Sequence, residues 1–161
     1  MMENLGVVIA IAGAVLAAFM TGMGSAKGVG MVGEVAAGVL SEDPNKFSKL
    51  LILQLLPGTQ GIYGFLTAFI MLLNVGVIGG SSDVSVAKGL LYFAACLPIA
   101  IVGYQSAIRQ ARVSVSGVAM VARQPDHNTK AMTLAAMVET YAVLALLVSL
   151  LAITGVSRLP L

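Results

Sequence analysis

Residues 131–154 read AMTLAAMVETYAVLALLVSLLAIT, a run that is almost entirely apolar and contains a single acid. An α-helix rises 1.5 Å per residue, so about 20 apolar residues cross the roughly 30 Å hydrocarbon core of a bilayer. This length and composition predict a membrane-spanning helix. Glu139 follows Lys130 by nine residues, so we expect it roughly 13 Å into that helix, near the middle of the membrane.

Glu139 has no cationic neighbour on this helix, because the next Lys or Arg after Lys130 is Arg158. An ionised carboxylate at that depth costs several kcal/mol, and such residues usually mark a path for ions or protons. The structural alternative is that Glu139 stays protonated and hydrogen-bonded to a neighbouring helix. We favour the ion path, since Gln or Leu would fill a purely structural position at less cost.

The composition of the whole chain agrees with a membrane protein. Of 161 residues, 58% are hydrophobic and 10% charged, whereas soluble domains carry about 25% charged residues. The net charge of +2 is small and dispersed, which argues against nucleic-acid binding. Cys96 is the only cysteine, so we expect no intrachain disulfide and a buried, inert thiol. The amino terminus lacks the cations of a signal peptide, so we expect its apolar segment to be retained.

Four apolar segments occur, at residues 5–26, 50–76, 87–108 and 131–154, and the first and third continue as amphipathic helices towards residues 40 and 123. Pro44 and Pro125 lie in polar stretches and mark helical turns. The sequence therefore predicts an all-α membrane protein with four transmembrane helices in two helical hairpins. We place the first hairpin in residues 1–80 and the second, which carries Glu139, in residues 81–161.

The two halves also match each other. A shift of 81 residues without gaps pairs Gly22 with Gly103, Ser25 with Ser106, Pro44 with Pro125, Lys49 with Lys130 and Thr59 with Thr140. These identities fall at the same structural places, which indicates a duplicated hairpin in a parallel repeat. The shift places Gly58 opposite Glu139, so the duplication kept one carboxylate for four helices.

The cations predict the orientation of the hairpins. Seven of the nine Lys and Arg residues flank the first and third loops: Lys27, Lys46, Lys49, Arg109, Arg112, Arg123 and Lys130. The positive-inside rule therefore predicts that these loops are cytoplasmic and both termini outside. We expect the remaining acids at termini, in loops or on a helix extension: Glu3, Glu34, Glu42, Asp43, Asp83 and Asp126.

The first helix carries a stripe of small residues every four positions, namely Ala10, Ala14, Ala18, Gly22, Ala26 and Gly30. Small residues let helices approach closely in lipid. The stripe fits packing inside one four-helix bundle or between copies. The second and fourth helices carry bulkier side chains, and small inner helices with large outer ones would suit a ring of subunits.

The second helix contains a polar group within its apolar segment. Pro57 removes a helical hydrogen bond and predicts a bend, and Gly58 and Gly61 beside it predict close helix approach. Thr59 and Gln60 add a hydroxyl and an amide, and Gln60 is expected at the depth of Glu139. The alternative is that Pro57 only kinks the helix while Thr59 bonds back to the backbone.

Gln110 on the third helix offers a further amide oxygen. One carboxylate surrounded by neutral oxygen donors suits a hard monovalent cation, whereas a divalent ion would favour two or more carboxylates. Two other motifs do not indicate a binding or catalytic site. Residues 22–28 lack the spacing of a phosphate loop, and His127 has no zinc-spaced partner. No nucleophile–base pair occurs, so we expect no catalysis by this chain.

Three motifs carry a family resemblance: GSAKGVGM at residues 24–31, LQLLPGTQG at 53–61 and AAMVETY at 135–141. The chain resembles the duplicated proteolipid (K, or c-type) subunit of V-type rotary ATPases, most closely the bacterial sodium-translocating kind. The resemblance implies a Na⁺ site formed by the Leu56 carbonyl, Thr59, Gln60, Gln110 and Glu139. It also implies that the Tyr63 hydroxyl bonds the carboxylate and holds the site shut.

The same resemblance implies the partners. These are identical copies in a membrane ring, a stator subunit that supplies an arginine, and a central-stalk subunit at the cytoplasmic loops, all in a plasma membrane. Two alternatives remain open: the same rotor with H⁺ as the coupling ion, and a structural or pore-forming protein in which Glu139 only joins helices. Thr59, Gln60 and Gln110 favour Na⁺, because a proton needs no coordination shell.

Overall fold

A computed structural model describes residues 4–80 and 84–160, and these residues are predominantly α-helical. The helices are α1 (Leu5–Glu42), α2 (Phe47–Leu55), α3 (Thr59–Val75), α4 (Val86–Arg123) and α5 (Asn128–Ser157). Four stretches are long and apolar enough to cross a bilayer: Leu5–Glu42, Pro44–Val75, Val86–Arg123 and Pro125–Ser157. The predicted all-α fold with four membrane-spanning helices is confirmed. Glu3 and Asp83 lie outside the described residues.

α1 and α4 are longer than a bilayer requires. Each contains 38 residues and is therefore about 57 Å long, so each extends well beyond the hydrocarbon core. Both end at a proline-containing 3-10 turn, Pro44–Lys46 after α1 and Pro125–His127 after α4. The two turns are those predicted from Pro44 and Pro125.

α2 and α3 form one membrane pass that a 3-10 turn interrupts at Leu56–Gly58. Pro57 has no N–H, so the Leu53 carbonyl loses its α-helical donor. The interruption falls where the sequence predicts it. It separates the first third of this pass from the part that carries Thr59, Gln60 and Tyr63.

α1 and α4 lie side by side, α3 packs on both, and α5 packs on α4 and to a smaller extent on α3. Buried apolar residues form two clusters. One contains Val7, Ala14, Met71, Ile99 and Ile153, among others, and the second contains Val32, Leu50, Leu53, Val118 and Val121, among others. The residues of the candidate site lie between these two clusters.

One glycine allows α3 to contact α1 directly. A Cβ atom on Gly64 would overlap the Thr21 hydroxyl and lie 2.6 Å from the Ala17 carbonyl oxygen.

The first half of the small-residue stripe on α1 packs against other helices of the same chain, since Ala10 and Ala14 are buried. A spacing of four residues drifts by about 40° per step relative to the helix period. Gly22 and Gly30 consequently face open space, and a Cβ atom added at either would have no neighbour within 4 Å.

Large apolar side chains cover the outside of the protein. Those more than 60% exposed are Phe19, Ile62, Phe65, Met137, Tyr141 and Leu151. Soluble proteins rarely expose so much contiguous apolar surface. Lipid is its natural solvent, and the chain is a membrane protein.

Candidate ion-binding site

The Glu139 carboxylate lies in the first half of α5 and accepts hydrogen bonds from side chains of α3 and α4. Tyr63 Oη donates to Glu139 Oε1 at 2.5 Å, and Gln110 Nε2 donates to Glu139 Oε2 at 3.2 Å. An ionised carboxylate accepts on both oxygens, so this pair of donors suits the charged form. The hydrogen bonds to the carboxylate are only partly buried.

The two glutamines are fully buried and bonded to each other. Gln60 Nε2 donates to Gln110 Oε1 at 2.5 Å. Gln60 Oε1 is buried without a hydrogen-bond partner among the described residues. An unsatisfied buried acceptor costs about 1–3 kcal/mol, which a bound cation would offset. The site thus contains an amide oxygen that is free to act as a ligand.

Leu56 and Thr59 lie on the turn next to Gln60. Thr59 Oγ1 donates to the Leu56 carbonyl oxygen at 3.0 Å, so the two oxygens are adjacent. This is the back-bonding expected as the alternative role of Thr59. The Thr59 hydroxyl oxygen keeps its lone pairs for a cation, whereas the Leu56 carbonyl also accepts from the Thr59 backbone N–H. The structure therefore joins Gln60, Gln110, Glu139 and Tyr63 in one hydrogen-bonded cluster, with Leu56 and Thr59 on the adjoining turn.

Ser106 belongs to the cluster although it is not among the residues predicted from the sequence. Its hydroxyl accepts from Gln60 Nε2 at 3.3 Å and donates to the Val138 carbonyl at 3.1 Å. Two signals could have found it. Ser106 precedes Gln110 by four residues and so lies on the same helix face, and the repeat pairs it with Ser25.

The expectation that both glycines near Pro57 allow close approach is correct only for Gly61. A Cβ on Gly61 would lie 3.2 Å from Ser25 Cβ, and Gly61 N donates to Ser25 Oγ at 2.8 Å. A Cβ on Gly58 would make ordinary contact with Val29 at 3.5 Å. The turn approaches α1 through Pro57 instead, because a Cβ atom on Gly28 of α1 would lie 2.9 Å from Pro57 Cβ.

The site lacks a protein cation. In the described ranges the one ion pair is Lys46 with Asp43 at 3.4 Å, in the first loop. The same ranges contain no group of three or more His, Cys, Asp or Glu residues placed to hold a metal ion.

A shallow cavity of about 400 Å³ on the outer surface is lined by Ala136, Glu139, Thr140, Val143 and Leu144. Glu139 therefore borders the outer surface of the chain as well as the cluster.

The remaining sequence predictions can be located as well. Residues 22–28 lie within α1 rather than in a loop, so they cannot form a phosphate loop. His127 lies in the turn before α5. Cys96 is fully buried, as expected.

The fold and the cluster describe a helical membrane protein with two equivalent hairpins and one central carboxylate. The family model for the C subunit of ATP synthase matches residues 12–71 and again residues 93–152. The second match is displaced from the first by 81 residues, the shift that superposes the two halves of the sequence. The chain belongs to this ATP synthase family, as a tandem repeat.

Two characterised relatives cover almost the whole chain. The V-type sodium ATPase subunit K of Enterococcus hirae is 48% identical over 149 residues, which are 92% of this chain and 92% of the relative. The A-type ATP synthase subunit K of Methanocaldococcus jannaschii is 37% identical over 146 residues, 91% of this chain and 62% of the relative. The predicted resemblance to the K, or c-type, proteolipid subunits is confirmed. Such subunits are non-catalytic, and so is this chain.

Proposed function

We propose that the chain is a rotor-ring subunit of a V-type ATPase and carries Na⁺ across the membrane, one ion per chain, at Glu139. One observation supports this most directly. Tyr63 and Gln110 orient both oxygens of a mid-membrane carboxylate that has no Lys, Arg or His partner among the described residues. A charge so placed calls for a cation from outside the protein. The Enterococcus hirae relative is named as a sodium ATPase subunit, which supports Na⁺ as that cation.

The proposed ligands are the Leu56 carbonyl, the Thr59 hydroxyl, the Gln60 and Gln110 amides and the Glu139 carboxylate. The unpartnered oxygen of Gln60 supports this assignment, because a cation satisfies it without adding another protein charge. Gln110 Oε1 accepts one hydrogen bond from Gln60 and keeps a second lone pair for the ion. Tyr63 acts as a gate that holds the carboxylate inward.

Transport follows from the cost of the bare charge in lipid. An ionised Glu139 that faces lipid is too expensive, whereas the sodium-loaded site is neutral overall and can move through the membrane. The ring therefore turns only when its lipid-facing sites are filled. At the stator, an arginine of the stator subunit favours the empty carboxylate and releases the ion. Each charge carried across works against about 2.3 kcal/mol per 100 mV.

Assembly of identical copies into the ring completes this function. We place the 1–2 and 3–4 loops in the cytoplasm, where they meet the central stalk, and both termini outside a plasma membrane. Seven cations at those two loops support this orientation. The exposed apolar side chains of α3, such as Phe65 and Phe69, then face lipid.

The runner-up is the same rotor with H⁺ as the coupling ion. A carboxylate alone suffices for a proton, and the relative from Methanocaldococcus jannaschii is named without reference to sodium. The neutral oxygens beside Glu139 favour Na⁺. A direct competition experiment separates the two ions.

A carbodiimide such as dicyclohexylcarbodiimide reacts with a protonated carboxylic acid in an apolar setting, and Glu139 is the only acid placed mid-membrane. Na⁺ and H⁺ compete for the same negative charge, so bound Na⁺ should prevent labelling. We expect labelling confined to Glu139, slowed by sodium, with more sodium needed at lower pH. The measurement is peptide mass mapping across a grid of sodium concentrations and pH.

Potassium at equal ionic strength is the control for charge screening and should protect poorly. The Glu139→Gln variant should not be labelled. A rate of Glu139 labelling that does not depend on sodium concentration at any pH would establish the proton-driven rotor instead. An unreactive Glu139 under all conditions would support the structural role.

A further inference from the structure

Two lysines tie the first hairpin to the loop of the second. Lys46 Nζ donates to the Ala122 carbonyl at 2.9 Å, and Lys49 Nζ donates to the Pro125 carbonyl at 3.0 Å. The Ala122 carbonyl lies in the last turn of α4, where backbone carbonyls lack helical donors and carry partial negative charge, and the Pro125 carbonyl lies in the 3-10 turn that follows. The lysines supply the missing donors together with a compensating charge. We call this pair of contacts the lysine clamp.

The repeat gives each position of the lysine clamp a counterpart. The 81-residue shift pairs Lys46 with His127, Lys49 with Lys130, Ala122 with Ser41 and Pro125 with Pro44. Two donors thus lie at the start of α5, just as two lie at the start of α2. The counterpart carbonyls are those of Ser41, in the last turn of α1, and of Pro44, in the following 3-10 turn, where the Pro44 carbonyl accepts the Phe47 N–H and keeps one lone pair.

The second set cannot meet inside one chain, because α5 packs on α4 and α3, away from the end of α1. Lys130 is exposed and makes no side-chain hydrogen bond or ion pair within the described ranges. Any carbonyls that accept hydrogen bonds from Lys130 and His127 in this way would therefore belong to another chain.

The carboxyl end of α1 carries two acids and one nearby cation, since Lys46 pairs with Asp43 at 3.4 Å and Glu42 has no ion-pair partner among the described residues. Its last turn contains no basic residue and ends in Glu42, with Asp43 next. The backbone N–H of Asn45 lowers the pKa of Asp43, and Lys46 beside it adds to the effect. Asp43 is therefore charged at neutral pH, so acidic groups surround carbonyls that already carry partial negative charge. A cation from another chain would be stabilised here.

We propose that Lys130 and His127 of one copy donate to the Pro44 and Ser41 carbonyls of the next copy, which repeats the lysine clamp between chains. The occupant of this surface is a second copy of the same chain, and the inference rests on the ring assembly proposed above. The operation that carries the first hairpin onto the second, applied again, carries the second onto the first hairpin of the next copy. The basic start of α5 then meets the acidic end of α1.

The surfaces beside this contact fit the same arrangement. The α4–α5 face carries an open groove of about 550 Å³, lined by residues that include Arg109, Met137 and Tyr141. The open face of α1 includes Gly22 and Gly30, where an added Cβ atom would meet no described residue within 4 Å. A slim helix face can enter a groove between two helices.

Cysteine cross-linking tests the proposal on the full chain in membranes. The pair Lys130→Cys with Asn45→Cys reports the contact between chains, because Asn45 is exposed beside Pro44. Its matched control is the repeat counterpart, Lys49→Cys with Asp126→Cys, which spans the clamp inside the chain. With a short thiol-specific bifunctional reagent, we expect the first pair to give a ladder of dimers, trimers and larger species. The control pair should give a cross-linked monomer, and the parent with only Cys96 should give neither.

Native mass spectrometry of the parent separates the two possible failures. A parent that forms a ring while the first pair gives no ladder overturns the clamp and leaves the rotor function intact. A parent that forms no ring overturns both. As a second measurement, Lys130→Met should lower the temperature at which the ring dissociates and Lys130→Arg should restore it. An unchanged dissociation temperature in Lys130→Met would contradict the proposal.

Discussion

The two hairpins have the same order of helices and turns, yet different residues occupy their corresponding polar positions. Where the second hairpin contacts α3 of the first, the chain places Gln110 and Glu139. The repeat counterparts of these two residues are Val29 and Gly58. The junction built from the counterpart positions would thus contain neither carboxylate nor amide. The proposed stoichiometry of one ion per chain follows from this difference, because only one of the two equivalent junctions contains a carboxylate and amides.

The threonine pair shows what duplication preserved. Thr59 Oγ1 bonds the Leu56 carbonyl, and its counterpart Thr140 bonds the Met137 carbonyl at 2.7 Å. The local bond is the same, but Thr140 is exposed while Thr59 lies beside the buried glutamines. The local hydrogen bond is therefore the same in both repeats. The proposed ion site forms only at Thr59, because only that threonine lies beside the buried glutamines. The variants below test this difference, beginning with the largest expected effect.

The Glu139→Gln substitution removes the carboxylate that the first hairpin lacks at the corresponding position, Gly58. Gln keeps the volume and one oxygen but loses the charge that compensates for removing water from Na⁺. We expect complete loss of sodium transport and of sodium-dependent ATP hydrolysis by the assembled enzyme, with ring formation unchanged. Uptake of ²²Na⁺ into vesicles measures the first, and native mass spectrometry measures the ring. Glu34→Gln, on the exposed extension of α1, is the control; sodium transport that survives in Glu139→Gln would refute the rotor-carrier function.

The Gly64→Ala substitution makes the first hairpin resemble the second at a packing position, since the counterpart of Gly64 is Ala145. The added methyl group would overlap the Thr21 hydroxyl. We expect a loss of about 3 kcal/mol in the free energy of unfolding, at the upper end for overpacked cores, or failure to assemble. Unfolding in detergent titrations measures it. Gly58→Ala is the control, because its methyl group meets only Val29 at 3.5 Å; equal stability of the two variants would show that α1 and α3 separate easily.

Much of the fold could be predicted because it depends on local sequence. Apolar length predicts the four membrane passes, and Pro44, Pro125 and Pro57 mark the interruptions that the structure contains. The 81-residue shift predicts the tandem repeat. These features need no knowledge of which side chains meet across helices. Pro98 is the exception, since it lies inside α4 without ending it, and the Ile99 N–H beside it donates to Ser149 Oγ.

The contacts across helices could be predicted only in part. The depth of Gln60 and Glu139 indicates that they share a level in the membrane, but the bond from Gln60 to Gln110 depends on helix rotation. Ser106 and the reach of Lys46 to Ala122 depend on packing between residues far apart in the sequence. Residue type indicates what a side chain can bind, whereas the fold selects its partner.

The Thr59→Val substitution removes one neutral oxygen and preserves side-chain shape. The cation would be under-coordinated, at a cost of about 1–3 kcal/mol, so we expect sodium affinity to fall about tenfold. The readout is the sodium concentration that half-saturates ATP hydrolysis. Thr140→Val makes the same change in the other hairpin and should have no effect. If Thr59→Val and Gln60→Leu both keep the parent value, the result would favour the proton as coupling ion.

The Tyr63→Phe substitution should have the smallest effect, because it removes one hydrogen bond and no proposed ligand. Tyr63 Oη holds Glu139 Oε1 at 2.5 Å, while Gln110 holds the other carboxylate oxygen. The carboxylate would keep one donor and turn outward more readily towards the lipid-facing cavity beside it. A net loss of about 1 kcal/mol, typical of a single hydrogen bond, corresponds to about fivefold weaker sodium binding.

The sodium concentration that half-protects Glu139 from carbodiimide measures this loss, and the labelling rate without sodium should rise because the carboxyl is more accessible. Tyr141→Phe is the matched control, since Tyr141 is 67% exposed near Glu139 on α5 and makes no side-chain hydrogen bond within the described residues. A gate predicts that both quantities change in Tyr63→Phe and neither in Tyr141→Phe. If only the half-protecting concentration changes, Tyr63 contributes to affinity without closing the site.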